Sequence, residues 1–490
     1  MIPILSIMIF VPIIAAILVY FIGRYSIKGA RIFALIVSTI ILLFALYSYA
    51  RVLESGAGQD ILFEEGPWDW IPTFSGVDYH LGIDGLSAPL ILVSAFLTVL
   101  VVLGSWELIQ TRQGLYYALI LLFAGSVIGV FTSLNLLLFY VFWEIVLIPM
   151  FFLIGIWGGS RRKYASMKFL LFTYVGSIIM LLGFIILYIF AAPTFDIKDL
   201  SIVQIPFWVQ TIVSIATFIG FGVKLPVVPF HTWLPDAHVE APAPISVLLA
   251  GVLLKMGGYG FIRVNVTLLP EASAEYGWIF IIIGIFTMFY GALVALIQKD
   301  LKRMIALTSI NHMGFVLLGI FTLNLYGISG AIFQMFNHAV AIGLLFMLSG
   351  YIHEQTGTRE IPLLKGLKDK IPRTSTLLVL ASMAGMGVPI FASFLSEYMV
   401  ILGAIYYDIR LAVSMLIPAI TVGYFLWMLR RTVMSPVENK ESNHLHDIKT
   451  FSLIHLTLYL IPLVILLIMP WLILNMTDQF AESLISLIGR

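Results

Sequence analysis

Fourteen apolar stretches of membrane-spanning length are the feature that most constrains how this 490-residue chain can fold. A helix needs roughly 20 mostly apolar residues to cross a hydrocarbon core of about 30 Å. The stretches lie at residues 2–22, 29–50, 84–106, 115–133, 135–157, 166–190, 207–226, 244–265, 276–297, 303–323, 326–352, 375–402, 410–429 and 452–476. Lipid cannot hydrogen-bond to an open backbone, so such stretches form helices. The pattern predicts an all-α integral membrane protein with one polytopic domain, residues 1–490, and no soluble domain.

Composition narrows the functions that remain. Charged residues make up 11% of the chain, against about 25% in an ordinary soluble domain. A formal net charge of +1 predicts no nucleic-acid partner. Cysteine is absent, which excludes disulfides, thiolate-held iron–sulfur clusters and cysteine nucleophiles in this chain. The first stretch lacks a basic flank and a small-residue cleavage site, so we interpret it as a membrane helix and not as a removed signal.

Basic residues are distributed unevenly between alternate connections. Lys and Arg accumulate in the short loops that face the cytoplasm. The chain has 27 Lys and Arg residues, and most of them lie in connections after odd-numbered stretches. These are Arg24, Lys28, Arg31, Arg112, Arg161, Arg162, Lys163, Lys168, Lys299, Lys302, Arg303, Arg359, Lys365, Lys368, Lys370, Arg373, Arg430, Arg431, Lys440 and Lys449. The other side holds Arg51, Lys198, Arg263, Arg410 and Arg490. The asymmetry predicts both termini on the non-cytoplasmic side.

Two connections carry further signals. Residues 51–83 contain six acidic residues with tryptophans and prolines, and we interpret them as an ordered cap on the outer side. HTWLPDAHVE, residues 231–240, reads as a proline-containing loop with two histidines seven residues apart. That is a poor metal-ligand spacing, so no metal site is predicted there. Its Asp236, His238 and Glu240 could form the cytoplasmic mouth of a proton path or lie on an ordinary hydrated loop.

Six titratable residues lie within the apolar stretches and need an explanation. Each charged group at mid-membrane costs at least about 2.5 kcal/mol on insertion scales. They are Glu144, Lys224, Lys255, His312, His338 and Glu397, in stretches five, seven, eight, ten, eleven and twelve. Any one of them could be a packing ion pair or a satisfied core histidine. As a set distributed over six helices, they favour a proton path joined by waters.

Helix-breaking residues accompany three of these groups. Pro226 and Pro229 follow Lys224, a Gly257–Gly258 pair follows Lys255, and Pro389 precedes Glu397. Proline removes a helix donor and clashes with the preceding turn, so these helices are expected to break or kink near the charges. Broken helices at mid-membrane form ion sites in many transporters, although ordinary kinks are also common in membrane helices.

One long segment, residues 221–263, carries a family resemblance. FGVKLPVVPFHTWLPDAHVEAPAPISVLLAGVLLKMGGYGFIR resembles the signature of the M-type, or chain 4, antiporter-like subunit of respiratory complex I. Residues 81–90, 139–158, 299–315 and 336–359 are also similar to that family, and together they extend the resemblance over nearly the whole chain. It implies two inverted five-helix repeats, helices 4–8 (about 115–265) and helices 9–13 (about 276–430), with helices 7 and 12 broken.

The resemblance also implies roles for the six residues. Glu144 and Lys224 would be the pair that tune each other, Lys255 the central lysine, His312 and His338 the relay, and Glu397 the terminal group. Loss of the Glu144 charge would drive Lys224 to release its proton toward Lys255, and Glu397 would pass it to the outer side. L-type, N-type and Mrp-type chains usually place a lysine at the last position, so Glu397 favours the M-type reading.

Partners and cofactors are likewise implied by the resemblance. It implies a proton-translocating subunit of an NADH:quinone oxidoreductase-like complex without a redox centre or cofactor of its own, with flavin, iron–sulfur clusters and quinone in partner subunits. L-type and N-type subunits would be its neighbours, in a prokaryotic cell membrane or, alternatively, an organelle inner or thylakoid membrane. NADH, a reduced deazaflavin and ferredoxin remain open as electron donors. The alternatives are a subunit of an Mrp-type sodium/proton antiporter and a structural scaffold.

Overall fold

A computed structural model describes residues 3–56, 58, 60–73, 75–436 and 445–488. Its main elements are α1 (Ile4–Tyr25), α2 (Ile27–Ser55), β1 (Leu62–Asp69), β2 (Asp78–Ile83), α3 (Ser87–Leu108), α4 (Gln113–Thr132), α5 (Leu136–Trp157), α6 (Arg162–Phe190), α7a (Phe207–Lys224), α7b (Trp233–Glu240), α8 (Ala243–Val266), α9 (Pro270–Leu296), α10 (Leu301–Phe321), α11 (Leu325–Thr356), α12a (Pro372–Gly385), α12b (Ala392–Tyr407), α13 (Ile409–Thr432), α14 (Thr450–Ile468) and α15 (Trp471–Ile488). Short helices at Ile197–Ile202 and Leu367–Lys370 lie in connections.

The predicted all-helical membrane architecture is confirmed. Thirteen helices within the described residues are long and apolar enough to cross a membrane. The remaining predicted span, 375–402, is present as the two halves α12a and α12b, which brings the total to the predicted fourteen. The inverted repeats stay a prediction.

Three helices form the centre of the bundle. The 18-residue apolar stretches of α8, α10 and α11 are completely buried. Those of α1, α2, α6, α9, α13 and α14 have less than half of their residues buried. The outer helices therefore turn apolar side chains toward lipid, as a membrane solvent requires. Lys255, His312 and His338 lie on the three central helices, away from the lipid-facing surface.

The seventh span breaks where its prolines predict. α7a ends at Lys224, and a stretch with Pro226 and Pro229 separates it from α7b. Residues 231–240 are not a loop as predicted, since most of them form α7b. Pro235 is the third residue of that helix, where a missing N–H leaves no hydrogen bond unmade. The proline therefore begins a helix here instead of interrupting one.

The eighth span is one continuous helix whose hydrogen-bond pattern changes along its length. π-helical turns at Leu249–Leu253 and Phe261–Val266 flank the α-helical segment that holds Lys255. Gly257 serves close packing, because a Cβ there would lie 2.6 Å from the backbone nitrogen of Leu225 at the end of α7a. The predicted break near the glycine pair is thus replaced by a π-type irregularity and a close contact between helices.

A β-hairpin modifies the all-helical prediction and forms the ordered cap predicted for residues 51–83. β1 and β2 pair antiparallel, and the Glu65 carboxylate accepts the backbone N–H groups of Leu5 at 2.7 Å and Ser6 at 3.1 Å. A carboxylate at a helix N-terminus satisfies free donors and complements the helix dipole. The hairpin therefore fixes the first turn of α1.

Other sequence predictions need correction. The last span ends at Ile468, because Pro470 separates it from α15, whereas the sequence predicted one helix over 452–476. Arg263 is no loop residue: it is buried in α8 and binds Asp84 at 2.6 Å. Lys302, also assigned to a loop, lies buried in the first turn of α10. Lys440 and Arg490 lie outside the described residues.

Candidate functional site

Four of the six predicted residues form a row across the bundle. The ammonium Nζ of Lys255 lies 2.6 Å from His338 Nδ1. The rings of His338 and His312 meet edge to face with their centroids 5.4 Å apart. His312 Nε2 lies 3.5 Å from Glu397 Oε1. We call these residues the central row.

The helix irregularities explain how the row is held. Lys255 Nζ also donates to the carbonyl of Ala250 at 2.6 Å, five residues earlier in the π-helical turn of α8. A π-turn leaves carbonyls available to side chains, which is why such turns recur at functional sites. The backbone of α8 thus orients the lysine toward His338.

The glutamate end of the row sits against the break in the twelfth span. Gly387 in that break has φ +68°, and a Cβ there would lie 2.7 Å from Glu397 Oε2. Beside it, Ser396 donates to Gln334 at 2.5 Å and accepts from Asn337 at 3.1 Å. The break therefore removes a side chain from in front of the carboxylate, and a polar network fixes the helix that carries it.

The other two predicted residues form a separate part. The Lys224 ammonium lies 5.2 Å from the ring centroid of Trp143 and 5.9 Å from that of Phe169. Its charge interacts with that of Glu144, and the Ser177 hydroxyl faces the same carboxyl group. Within the described residues neither Lys224 Nζ nor Glu144 Oε1 has a hydrogen-bond partner. Among the described residues no salt bridge or hydrogen bond joins the two side chains, and the ring of Trp143, the neighbour of Glu144 in α5, lies beside the ammonium.

Besides Arg263, sequence reasoning missed the buried cation Lys302. Lys302 is only 4% exposed and donates a hydrogen bond to the carbonyl of Ala241, directly after α7b. It lines a cavity of about 370 Å³ with Glu240 and Arg359. Its place next to loop cations made it look like a topology signal, because its burial at the start of α10 depends on the neighbouring helices.

The suggested mouth residues lie on α7b. Asp236 binds Lys168 at 2.7 Å and lies 4.0 Å from Arg303, and Glu240 accepts the backbone N–H of Arg161 at 2.8 Å. His238 is fully buried. Among the described residues, no group of three or more His, Cys, Asp or Glu side chains is arranged to hold a metal ion.

Family models match most of the chain. Residues 133–423 match the NADH:quinone oxidoreductase/Mrp antiporter membrane family, and residues 68–130 match the amino terminus of NADH-ubiquinone oxidoreductase chain 4. The first match contains all six predicted residues. The chain belongs to the M-type, or chain 4, family of NADH-quinone oxidoreductase membrane subunits.

Relatives of this M-type family cover the chain end to end. NADH-quinone oxidoreductase subunit M of Rickettsia prowazekii is 37% identical over 99% of each chain. F(420)H(2) dehydrogenase subunit M of Methanosarcina mazei is 36% identical, again over 99% of each. A chain of respiratory complex I from Thermus thermophilus with bound NADH superposes with a TM-score of 0.89 at 27% identity, covering 99% of this chain and 100% of that one.

Proposed function

We propose that this M-type subunit moves protons across the membrane through its buried titratable residues, as part of a complex I-like oxidoreductase. The observation that carries the proposal is the central row from Lys255 to Glu397. Four buried titratable side chains on four helices are costly as packing devices. Proton transfer requires this kind of succession, with groups in direct contact or one water apart.

The row can pass a proton by successive transfers. The Lys255 ammonium gives a proton to His338 Nδ1, and the resulting imidazolium releases the proton on its other nitrogen toward His312. His312 then protonates the Glu397 carboxylate, directly or through one bridging water. Each histidine then holds its proton on the other nitrogen, and ring rotation or proton exchange through water restores the first tautomer before the next transfer. Lys255 is neutral after its transfer and is reprotonated from Lys224. Glu397 releases the proton to the outer side.

Glu144 and Lys224 regulate the supply to this row. A carboxylate and an ammonium that interact in a medium of low dielectric attract each other strongly. Movement or neutralisation of Glu144 therefore drives Lys224 to release its proton toward Lys255. The contact of Gly257 with the end of α7a brings the two lysine-bearing helices together.

The energy comes from other subunits. The chain has no cysteine to hold an iron–sulfur cluster, and we assign flavin, iron–sulfur clusters and quinone to partners that include L-type and N-type neighbours. Relatives are named for both NADH and F(420)H(2) oxidation, so the donor is set elsewhere in the complex. The host membrane is a prokaryotic cell membrane, with both termini of the chain on its outer side.

Substitution of the regulating pair tests this function. Lys224→Ala and Glu144→Ala complexes in sealed vesicles are expected to assemble and to lose most proton pumping per electron transferred. Lys163→Ala, at an exposed lysine of α6, is the matched control and should pump normally. A wild-type proton-to-electron ratio in either buried variant would refute the proposed role.

A further inference from the structure

A second cavity, of about 830 Å³, lies where α9 and α13 end on the side of the basic loops. α9 ends at Leu296 and α13 at Thr432, and the loop that carries Lys365 forms a third side. This loop is fixed to the chain after α13, because the backbone N–H of Gly366 donates to the Ser435 hydroxyl at 3.1 Å. Contacts of the fold therefore hold the rim of the cavity in place.

Four cations line this cavity, and we call it the basic cavity. They are Lys299, Lys365, Arg430 and Arg431. Within the part of the chain that the structure describes, no Asp or Glu is among its lining residues. Elsewhere at this end of the bundle, basic side chains such as Arg359 pair with carboxylates of the protein. Like charges that share a cavity repel each other, so an anion bound among them is favourable.

Apolar side chains extend the basic cavity toward the hydrocarbon of the membrane. Leu296, Ile297, Trp427 and Met434 also line it, and they are between 38% and 72% exposed. They belong to the ends of two helices whose apolar stretches are less than half buried and so face lipid. A small soluble anion would leave these side chains without a contact, whereas acyl chains would cover them.

Trp427 brings the two arginines together at the boundary between these apolar and basic parts. The guanidinium carbons of Arg430 and Arg431 lie 5.9 Å and 5.5 Å from the centroid of its ring. Tryptophan is enriched at the level of lipid headgroups, and a guanidinium group can bind a phosphate through two parallel hydrogen bonds. The ring thus holds both guanidinium groups where a headgroup phosphate would lie.

We propose that the basic cavity binds the headgroup phosphate of an anionic phospholipid from the inner leaflet, with the acyl chains along α9 and α13. Basic pockets between membrane helices on the cytoplasmic side suit such headgroups. Arg430 and Arg431 contact the phosphate, and Lys299 and Lys365 add positive charge around it. The inference goes beyond the proposed function, because it uses none of the residues of the proton path.

Photolabelling of the whole complex in sealed vesicles tests this site. The probes are phosphatidylglycerol and phosphatidylcholine, each with a photoreactive group beside the headgroup, and labelled peptides are mapped by mass spectrometry. We expect phosphatidylglycerol to label the inner ends of α9 and α13 far more than phosphatidylcholine does. Arg430→Gln/Arg431→Gln should lower this ratio roughly 25-fold, since each basic residue near a membrane surface strengthens binding of anionic lipid about fivefold.

A matched control removes the same charge elsewhere on the same side of the membrane. Arg162→Gln/Lys163→Gln changes two adjacent exposed residues at the start of α6, and it should keep the wild-type ratio at the basic cavity. If the double arginine variant does not assemble, Arg430→Gln alone takes its place, and about a fivefold fall in the ratio is expected.

Three results would overturn the lipid site. Equal labelling by the two lipids in wild type would show an ordinary lipid-facing surface. No labelling by either lipid would show that a neighbouring protein chain covers the cavity. An unchanged ratio in the arginine variant would show that these charges do not select the lipid. Because labelling does not depend on pumping, none of these results bears on the proposed proton path.

Discussion

Glu397 tests the proton path at the level of one residue. If it receives the proton from His312, loss of its titratable group stops transfer even when its size is kept. We expect Glu397→Gln to impair pumping nearly as much as Glu397→Ala, and Glu397→Asp to retain part of it. Proton uptake by vesicles, with donor oxidation and assembly as controls, measures this.

A packing role for Glu397 would give the opposite order. A side chain that only accepts hydrogen bonds tolerates the amide well and suffers from Ala through lost contacts. Near-normal pumping in the Gln variant would therefore remove Glu397 from the path.

His80 makes the cap formed by β1 and β2 sensitive to pH. Its Nδ1 lies 2.5 Å from Asp196 and its Nε2 2.8 Å from Glu64, which also binds Lys198 at 2.7 Å. Burial lowers the pKa of His80, but the two carboxylates outweigh burial, so the pKa lies above its ordinary value. Asp78 also interacts with the ring.

The sign of this effect follows from linkage. A raised pKa stabilises the folded cap fully below the ordinary His pKa of about 6.5, and the stabilisation is lost as pH rises through the folded value. We expect hydrogen exchange in β1 and β2, corrected for intrinsic rates, to be roughly fivefold faster above the folded pKa of His80 than below pH 6.5. This factor corresponds to a loss of about 1 kcal/mol of stability in the cap. His80→Gln should abolish the change, and an unchanged pH dependence in that variant would contradict the assignment.

At the scale of elements, the sequence predicted the helix breaks better than it predicted the short helix and strands in the connections. Pro226 and Pro229 mark the end of α7a because proline acts on its own helix. Pro235 gave the wrong result because the same residue is favourable in a first turn, and only the fold shows which turn it occupies. The hairpin strands are short and amid acidic residues, so no apolar alternation revealed them.

The break in the twelfth span carries a prediction of its own. In Gly387→Ala the added Cβ must displace the Glu397 carboxylate, and an L-residue at this φ costs roughly 1–2 kcal/mol. We expect a lower proton-to-electron ratio and a lower melting temperature. Gly423→Ala on α13, where a Cβ meets nothing within 4 Å, should lower neither, because alanine is favourable inside a helix. Equal behaviour of the two variants would show that the break does not position Glu397.

For the whole molecule, the sequence predicts the membrane spans and the family but not which buried side chains contact each other. Apolar length and motifs predict spans and resemblance, because both are local in sequence. The contact of Lys255 with His338 joins residues 83 positions apart, and its partner depends on how α8 packs on α11. Lys302 was missed for the same reason, since burial at a helix start is decided by neighbouring helices.

The distribution of basic residues predicts how the molecule is oriented. A reporter fused after Arg490, a residue outside the described part of the chain, should be active only outside the cytoplasm. A second fusion in the connection after α9, near Lys299, should be active only in the cytoplasm. Cytoplasmic activity of the C-terminal reporter would contradict the predicted orientation and, with it, the proposed direction of proton movement.

The proton-to-electron ratio of Lys255→Ala tests the central claim most directly, because Lys255 is the member of the central row that the proposal has receiving protons from Lys224. The complex is reconstituted in sealed vesicles, and donor oxidation and proton uptake are recorded together. The proposed function predicts an assembled complex whose ratio falls clearly below that of wild type. An unchanged ratio at normal donor oxidation would show that protons do not pass through this row.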